Sequence, residues 1–74
     1  MAEDTEIKSI DKGSDKAIKI KLTYWKDNPY IDVREYYRGD DNEFLPTKKG
    51  IRFPADMVDE IVEGLGAAKS ASEA

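Results

Sequence analysis

Apolar and polar residues alternate most regularly between Ala17 and Trp25. One parity carries Ile18, Ile20, Leu22 and Tyr24, and the other carries Lys19, Lys21, Thr23 and Trp25. A period of two predicts a β-strand with one apolar face on a core. The same parity turns Trp25 outward beside Lys19 and Lys21. We therefore predict an exposed Trp next to two cations, which is unusual unless the side chain meets a ligand.

Pro29 to Arg38 is the segment richest in β-formers and predicts the central strand. Its alternation is imperfect, because Glu35 shares a parity with Ile31 and Val33. Either the strand bends near Glu35 or both of its faces are covered. Both outcomes are more typical of a binding surface or a subunit interface than of a sheet with one solvated face.

Turn residues divide the remaining β-forming sequence into short pieces. The predicted turns are Lys26 to Pro29, Gly39 to Asn42 and Thr47 to Gly50. The predicted short strands are Glu43 to Leu45, confined to an edge by Pro46, and Ile51 to Phe53.

A helix is predicted to begin at Pro54, where the missing amide hydrogen has no cost. Its apolar stripe consists of Met57, Val58, Ile61, Val62 and Leu65, and its opposite face is acidic. Gly64 and Gly66 are expected to end it. The predicted order is β-β-β-β-α in one domain over residues 16–66, with residues 1–15 and 67–74 disordered.

The chain has 74 residues with neither Cys nor His, so disulfides and the commonest metal ligands are excluded. A domain of this size buries only about 60% of its unfolded surface, which leaves oligomerisation as the expected stabiliser. Asp40, Asp41 and Glu43 form the one carboxylate cluster and fit a solvated turn better than a catalytic or cation site. We expect no enzyme activity and no cofactor.

The net charge of −4 is distributed unevenly. Residues 1–15 have a net charge of −3, residues 16–52 of +3 and residues 53–74 of −4. Binding depends on the local potential of a surface, so the basic middle of the chain is compatible with a polyanion ligand. The first residues lack the basic and apolar regions of a signal peptide, and no apolar run is long enough for a membrane span, so we expect a soluble, intracellular protein.

Three side chains, those of Trp25, Arg34 and Tyr37, can be interpreted from the residues alone either as ligand contacts or as structural groups. Trp25 with Lys26 matches the stacking and phosphate contacts of sequence-tolerant single-strand binding, but Trp25 could equally cap the core at a hairpin end. Arg34 fits a salt bridge with Asp32 or Glu35, and Tyr37 fits a half-buried strand aromatic.

Two blocks of sequence resemble a known family. Ile31-Asp32-Val33-Arg34-Glu35-Tyr36-Tyr37, an acidic turn, and then Leu45-Pro46-Thr47-Lys48-Lys49-Gly50-Ile51 resemble the core of the transcriptional positive cofactor four family. The resemblance extends from about Lys16 to Leu65. It implies a curved four-stranded antiparallel sheet with one C-terminal helix, paired as a homodimer that binds single-stranded or melted DNA and acts as a transcription cofactor.

The resemblance also implies roles for individual residues. It assigns DNA contacts to Trp25, Lys26, Arg34, Tyr37 and the basic pair Lys48 and Lys49, to which the outward face of the first predicted strand adds Lys19 and Lys21. The implied dimer contact joins the helices and part of the central strand, with Tyr36, Met57, Ile61 and Leu65 as its residues. The chain departs from the family pattern at Asn28, Leu45 and Tyr37.

Two alternatives stay open. RNA is a possible ligand, because stacking and phosphate contacts do not distinguish a 2′-hydroxyl. The other is a dimeric protein-interaction module whose Trp25 and Lys row meets an acidic partner. The chain lacks a long Ser-rich acidic leader, which favours a prokaryotic or phage source and a cytoplasmic, nucleoid-associated location over a nuclear one; transcription machinery is a possible partner.

Overall fold

The computed structural model describes residues 4–73, so the predictions for residues 1–3 and for residue 74 lie outside the described part of the chain. Its elements in chain order are β1 (Thr5–Gly13), β2 (Lys16–Trp25), β3 (Asn28–Arg38), β4 (Phe44–Pro54), a 3-10 turn (Ala55–Met57) and α1 (Val58–Ser72). The strands form one sheet in the order β1-β2-β3-β4, with every neighbouring pair antiparallel. The predicted four-stranded antiparallel sheet followed by a helix is thus confirmed.

Two tight hairpins hold the first three strands together. Ser14 and Asp15 join β1 to β2 with φ of 53° and 60°, and Lys26 and Asp27 join β2 to β3 with φ of 51° and 65°. Two successive residues with positive φ match the twist of the flanking strands in a two-residue hairpin. The predicted turn before β3 is therefore present, but it is shorter than Lys26 to Pro29, since β3 already begins at Asn28.

Residues 5–13, which lie within the segment expected to be disordered, form β1 instead. Antiparallel pairing with β2 satisfies the backbone hydrogen bonds of this segment. The segment has only isolated apolar residues, so its own sequence did not predict a strand. Register shifts occur between Glu6 and Lys8 and between Asp11 and Gly13, so Ile7 and Lys12 are the extra residues of two bulges. A bulge redirects the local side chains.

The last two predicted strands are one continuous strand, β4, and the predicted turn at Thr47 to Gly50 is a bulge within it. Tyr36 pairs with Pro46 and Arg34 pairs with Gly50, so three residues of β4 lie opposite Glu35 alone. The pairing of β3 with β4 is thus interrupted at Glu35, whereas the pairing of β3 with β2 continues through Glu35 without a shift. The predicted bend of the central strand itself stays a prediction. Pro46 lies in an edge strand, as expected.

Gly50 allows the close approach of β4 to β3 after this bulge. A Cβ at position 50 would lie 2.6 Å from the carbonyl oxygen of Val33 and 2.8 Å from the Cα of Arg34. Real Cβ atoms do not pack this closely, so the backbone contact depends on glycine.

The helical region begins later and ends later than its sequence predicts. Pro54 is the last residue of β4, and α1 continues through Gly64 and Gly66 to Ser72. Each interior glycine costs about 1 kcal/mol relative to alanine and does not by itself end a helix. The alanines that follow have the highest helix propensity, so the predicted tail is helical up to Ser72.

Alternation gives the sheet two different faces. We call one the apolar groove: it is a cavity of about 370 Å³ between the sheet and α1, lined by Ile7, Ile20, Ile31, Val33, Ile51, Phe53, Val58, Ile61, Val62 and Leu65. We call the other the polar face: by register it carries Glu6, Lys19, Lys21, Thr23, Trp25, Tyr30, Asp32, Arg34, Tyr36, Arg38, Phe44 and Arg52.

Candidate nucleic-acid interface

Trp25 lies at one end of the polar face, beside the β2–β3 hairpin. The residue is 58% exposed, as its parity in β2 predicts. The Nζ atom of Lys26, in the adjacent turn, lies 5.7 Å from the centroid of the indole ring. A cation at this distance interacts with the ring through its quadrupole while remaining in solvent. The hairpin end therefore presents an accessible aromatic surface next to a positive charge.

Lys19 and Lys21 lie over Tyr36 in the middle of the polar face. Their Nζ atoms are 5.2 and 5.0 Å from the centroid of the Tyr36 ring. Lys19 also forms an ion pair with Glu6 of β1, at 2.9 Å. A hydrogen bond with the Tyr36 side chain raises the pKa of Lys21, which keeps this ammonium group charged.

Arg34 lies on the same face but is held by other groups of the chain. Its guanidinium group donates to both carboxylate oxygens of Asp32, at 3.1 and 3.3 Å, and to the carbonyl oxygen of Thr47, at 3.0 Å. The Asp32 hydrogen bond raises the pKa of Arg34. The salt bridge suggested by the residues alone is therefore present, with Asp32 and not Glu35 as its partner. A ligand phosphate would have to share the guanidinium group with Asp32.

The remaining residues predicted to contact DNA are Tyr37, near the end of β3, and the basic pair of the β4 bulge. Tyr37 pairs with Lys16 and Leu45, and alternation turns it to the face opposite Arg34. Lys48 and Lys49 lie in the β4 bulge, where the Lys49 Nζ atom is 4.0 Å from a carboxylate oxygen of Glu35. The structure thus gathers Lys19, Lys21, Trp25, Lys26 and Arg34 on or beside one face and turns Tyr37 to the other. The bulge that carries Lys48 and Lys49 adjoins Arg34 through the Thr47 carbonyl oxygen, and Lys49 approaches Glu35.

Glu35 is buried at the bulge, which explains why its place in the alternation looked wrong. Lys12, delivered by the second bulge of β1, donates a hydrogen bond to its carboxylate, and the hydroxyl group of Thr47 donates to its backbone oxygen at 2.8 Å. The ammonium group of Lys12, with a smaller contribution from Lys49, lowers the pKa of Glu35. The carboxylate is therefore a structural ion-pair partner that ties β1 to β3 and β4.

The residues predicted for a dimer contact do not form one cluster. Tyr36 is 7% exposed on the polar face, beneath Lys19 and Lys21. Ile61 and Leu65 line the apolar groove on the other side of the sheet, where Leu65 is 66% exposed. Tyr36 is thus separated by the sheet from the helical stripe.

Sequence reasoning did not assign Tyr30, Arg38, Phe44 and Arg52 to the site. The guanidinium carbon of Arg52 lies 5.0 Å from the Tyr30 ring centroid, and that of Arg38 lies 5.3 Å from the Phe44 ring centroid. Tyr30 shares its parity with Arg34, which was an available signal. Arg52 and Phe44 depend on the register of β4 across the bulge, which local pattern does not reveal.

A family model for the transcriptional coactivator p15 (PC4) matches residues 12–64. The chain belongs to this family. No curated protein matches it.

Solved PC4 homologues share the fold. The chain is similar to a PC4 homolog from Burkholderia pseudomallei, in an orthorhombic crystal form with a TM-score of 0.82, 26% identity and 88% of each chain covered. The tetragonal form gives a TM-score of 0.84 and 25% identity over 90% of this chain and 98% of that one. A bacteriophage T5 homolog of the eukaryotic coactivator, implicated in recombination-dependent DNA replication, is 20% identical with a TM-score of 0.73 over 96% and 82% of the chains.

Two further findings concern the part of the chain that the structure describes. Residues 4–73 contain no cluster of three or more acidic side chains arranged to hold a metal ion. Within the same range, the helix is neither long nor apolar enough to cross a bilayer.

Proposed function

We propose that the chain is a sequence-tolerant single-stranded DNA-binding protein that works as a homodimer and acts as a transcription cofactor or regulator. The observation that carries the proposal is Trp25, a 58% exposed indole on a face that also carries Lys19, Lys21 and Arg34. Aromatic surfaces stack on unpaired bases regardless of sequence, and neighbouring cations follow the phosphates. Membership in the PC4 family supports the same proposal.

The charges of the polar face determine which cations can meet phosphates. Lys21, Lys26 and Lys48 have no ion pair within residues 4–73, whereas Lys19, Arg34 and Lys49 have acidic neighbours at 2.9, 3.1 and 4.0 Å. We therefore assign the main phosphate contacts to Lys21, Lys26 and Lys48. Lys19, Arg34 and Lys49 contribute less, because binding must compete with carboxylates of the chain itself. Tyr37 remains part of the proposed site as a contact from the opposite face, at the strand end.

The homodimer is proposed from the apolar groove. Leu65 is 66% exposed, Val62 59% and Ile51 57%, and no large side chain among residues 4–73 is fully buried. A second copy would remove this apolar surface from water, at about 25 cal/mol for each Å² buried. We keep Ile61 and Leu65 as interface residues within the groove, together with Met57, which is 43% exposed in the 3-10 turn beside it in sequence. Tyr36 is retained only as a support for Lys19 and Lys21.

RNA is the second candidate ligand, since the polar face offers stacking and phosphate contacts that both nucleic acids can use. The candidate that does not involve nucleic acid is a dimeric protein-interaction module whose Trp25 and Lys row meets an acidic protein partner. We propose a binding protein and not an enzyme, with no cofactor. The family is that of a transcriptional coactivator, and the bacteriophage T5 homolog is implicated in recombination-dependent DNA replication. We propose a nucleoid-associated location in a bacterial or phage-infected cell.

A salt titration tests the proposal. Binding of a mixed-sequence single-stranded oligonucleotide should weaken with salt, with a slope of log affinity against log salt of about −0.7 for each phosphate neutralised. Lys21→Glu should lower both the affinity and the slope. Equal affinity for the single strand and for the duplex of the same sequence would contradict the proposal, and so would the absence of binding.

A further inference from the structure

Three side chains from three strands lie along one diagonal of the polar face. Trp25 and Tyr30 are diagonal neighbours across β2 and β3, because Thr23 pairs with Tyr30. Tyr30 and Arg52 are diagonal neighbours across β3 and β4, because Asp32 pairs with Arg52. Diagonal positions are about 7–8 Å apart, which aromatic and long side chains can span. The three side chains can therefore act on one ligand.

An open cleft of about 370 Å³ lies between them and is lined by Trp25, Tyr30 and Arg52. We call it the Trp25 cleft. Its volume is within the range of about 300–1,000 Å³ that holds small molecules. The guanidinium carbon of Arg52 lies 5.0 Å from the centroid of the Tyr30 ring. The cleft thus offers two aromatic surfaces, one of them already covered on part of its area by a cation.

The charges beside the cleft are positive at both ends. Asp32, the residue opposite Arg52, is engaged by Arg34 at 3.1 Å, and Arg52 has no ion pair within residues 4–73. Lys26 lies 5.7 Å from the indole ring at the other end. A flat aromatic group with an anion on each side matches this arrangement, and a nucleotide within a single strand has that chemistry. An arginine that stacks on a ring keeps its edge hydrogens available to a phosphate.

We infer that the Trp25 cleft is a subsite for one unpaired nucleobase, which stacks between Trp25 and Tyr30 while Arg52 donates to an adjacent phosphate. The inference rests on the proposed function and adds two residues to it, Tyr30 and Arg52. It also sets the path of the bound nucleic acid, which would cross the sheet from the β2–β3 hairpin, over β3, to the edge strand β4.

Two variants and a matched control test the subsite. Tyr30→Leu removes the ring but keeps an apolar strand residue, and Arg52→Gln removes the charge at an exposed position. Lys69→Gln makes the same charge change in the last turn of α1, outside the polar face. The probes are a mixed-sequence single-stranded oligonucleotide and an abasic oligomer of the same length, which keeps the phosphates and lacks the bases. Thermal melting of each variant confirms that it is folded.

Tyr30→Leu should weaken binding of the oligonucleotide about fivefold or more, as expected for the loss of one stacked base, and leave binding of the abasic oligomer unchanged. Arg52→Gln should weaken binding of both probes and reduce the salt slope by about 0.7, while Lys69→Gln changes neither. Wild-type affinity in both Tyr30→Leu and Arg52→Gln would overturn the subsite and would favour a protein ligand for the cleft. Failure of the proposed function looks different, because the wild type itself would then not bind the oligonucleotide.

Discussion

The two faces of the sheet differ in how far the chain completes them by itself. On the polar face, Tyr36 is 7% exposed beneath two lysines and Arg34 is bound to Asp32 and Thr47. On the other side, Leu65 is 66% exposed and Ile51 57%, although both line what should be a core. The apolar side leaves large side chains in solvent, whereas on the polar side the large aromatic side chain left most exposed is Trp25, at 58%. In the apolar groove, exposed side chains mark a surface that a second copy of the chain would cover. On the polar face, the exposed Trp25 marks a surface that a ligand would contact.

The largest expected effect comes from breaking the apolar side. Ile61→Asp places a charge in the apolar groove, where an unpaired carboxylate is costly to bury. The variant should be monomeric and largely unfolded. Sedimentation and circular dichroism measure both properties.

Ser70→Asp is the control for Ile61→Asp, because it adds the same charge on the opposite side of α1 and should change neither property. A wild-type chain that sediments as a stable monomer at micromolar concentration would refute the need for a partner on this side.

A smaller loss is expected where β4 approaches β3. Gly50→Ala would put a Cβ 2.6 Å from the Val33 carbonyl oxygen and should destabilise the fold by about 1–3 kcal/mol or more, as overpacking does. Gly64→Ala makes the same chemical change in α1, where nothing lies within 4 Å, and should stabilise the fold by up to about 1 kcal/mol. Chemical denaturation measures the two changes. Equal changes in stability for Gly50→Ala and Gly64→Ala would show that the bulge does not depend on the close contact between Gly50 and β3.

The smallest effect concerns the ion pair between the exposed Lys12 and the buried carboxylate of Glu35. The pKa of Glu35 is lowered in the folded chain by Lys12, so the unfolded chain binds more protons as the pH falls through the acidic range. The stabilisation is present above the unfolded pKa of about 4.3 and is lost as the pH falls through the folded one. The difference in melting temperature between the wild type and Glu35→Gln should therefore shrink on acidification. If the difference in melting temperature stayed constant from about pH 7 down to about pH 3, this assignment of the ion pair would be wrong.

Sequence reasoning succeeded where one strand carried its own signal. The alternation of β2 predicted the outward position of Trp25, and the parity of Glu35 marked the place where the pairing of β3 with β4 is interrupted. Both are local patterns that the chain displays without its neighbours. The predicted order β-β-β-β-α has the right number of strands, although β1 was not among those predicted and β4 combines two of them.

The same reasoning failed where pairing decides the structure. Ile7 and Lys12 occupy bulges of β1, so their orientation depends on the register with β2 and could not be predicted from alternation. Thr47 to Gly50 has the composition of a turn, but hydrogen bonding to β3 keeps it inside β4. Arg52 reaches Tyr30 only because of the register beyond that bulge. Non-local hydrogen bonds thus overrode local composition in each case.

The most direct test of the account is the replacement of Trp25, compared in stability and in binding. Burial of a large aromatic core side chain is worth about 3–5 kcal/mol, whereas base stacking is worth about 1–3 kcal/mol of affinity. Trp25→Ala should melt within a few degrees of the wild type and bind a single-stranded oligonucleotide about tenfold more weakly, and Trp25→Phe should retain much of the affinity. Because Trp25 is the sole Trp in the chain, oligonucleotide should also quench the wild-type fluorescence. A Trp25→Ala variant that unfolds, or that binds as tightly as the wild type, would contradict the account.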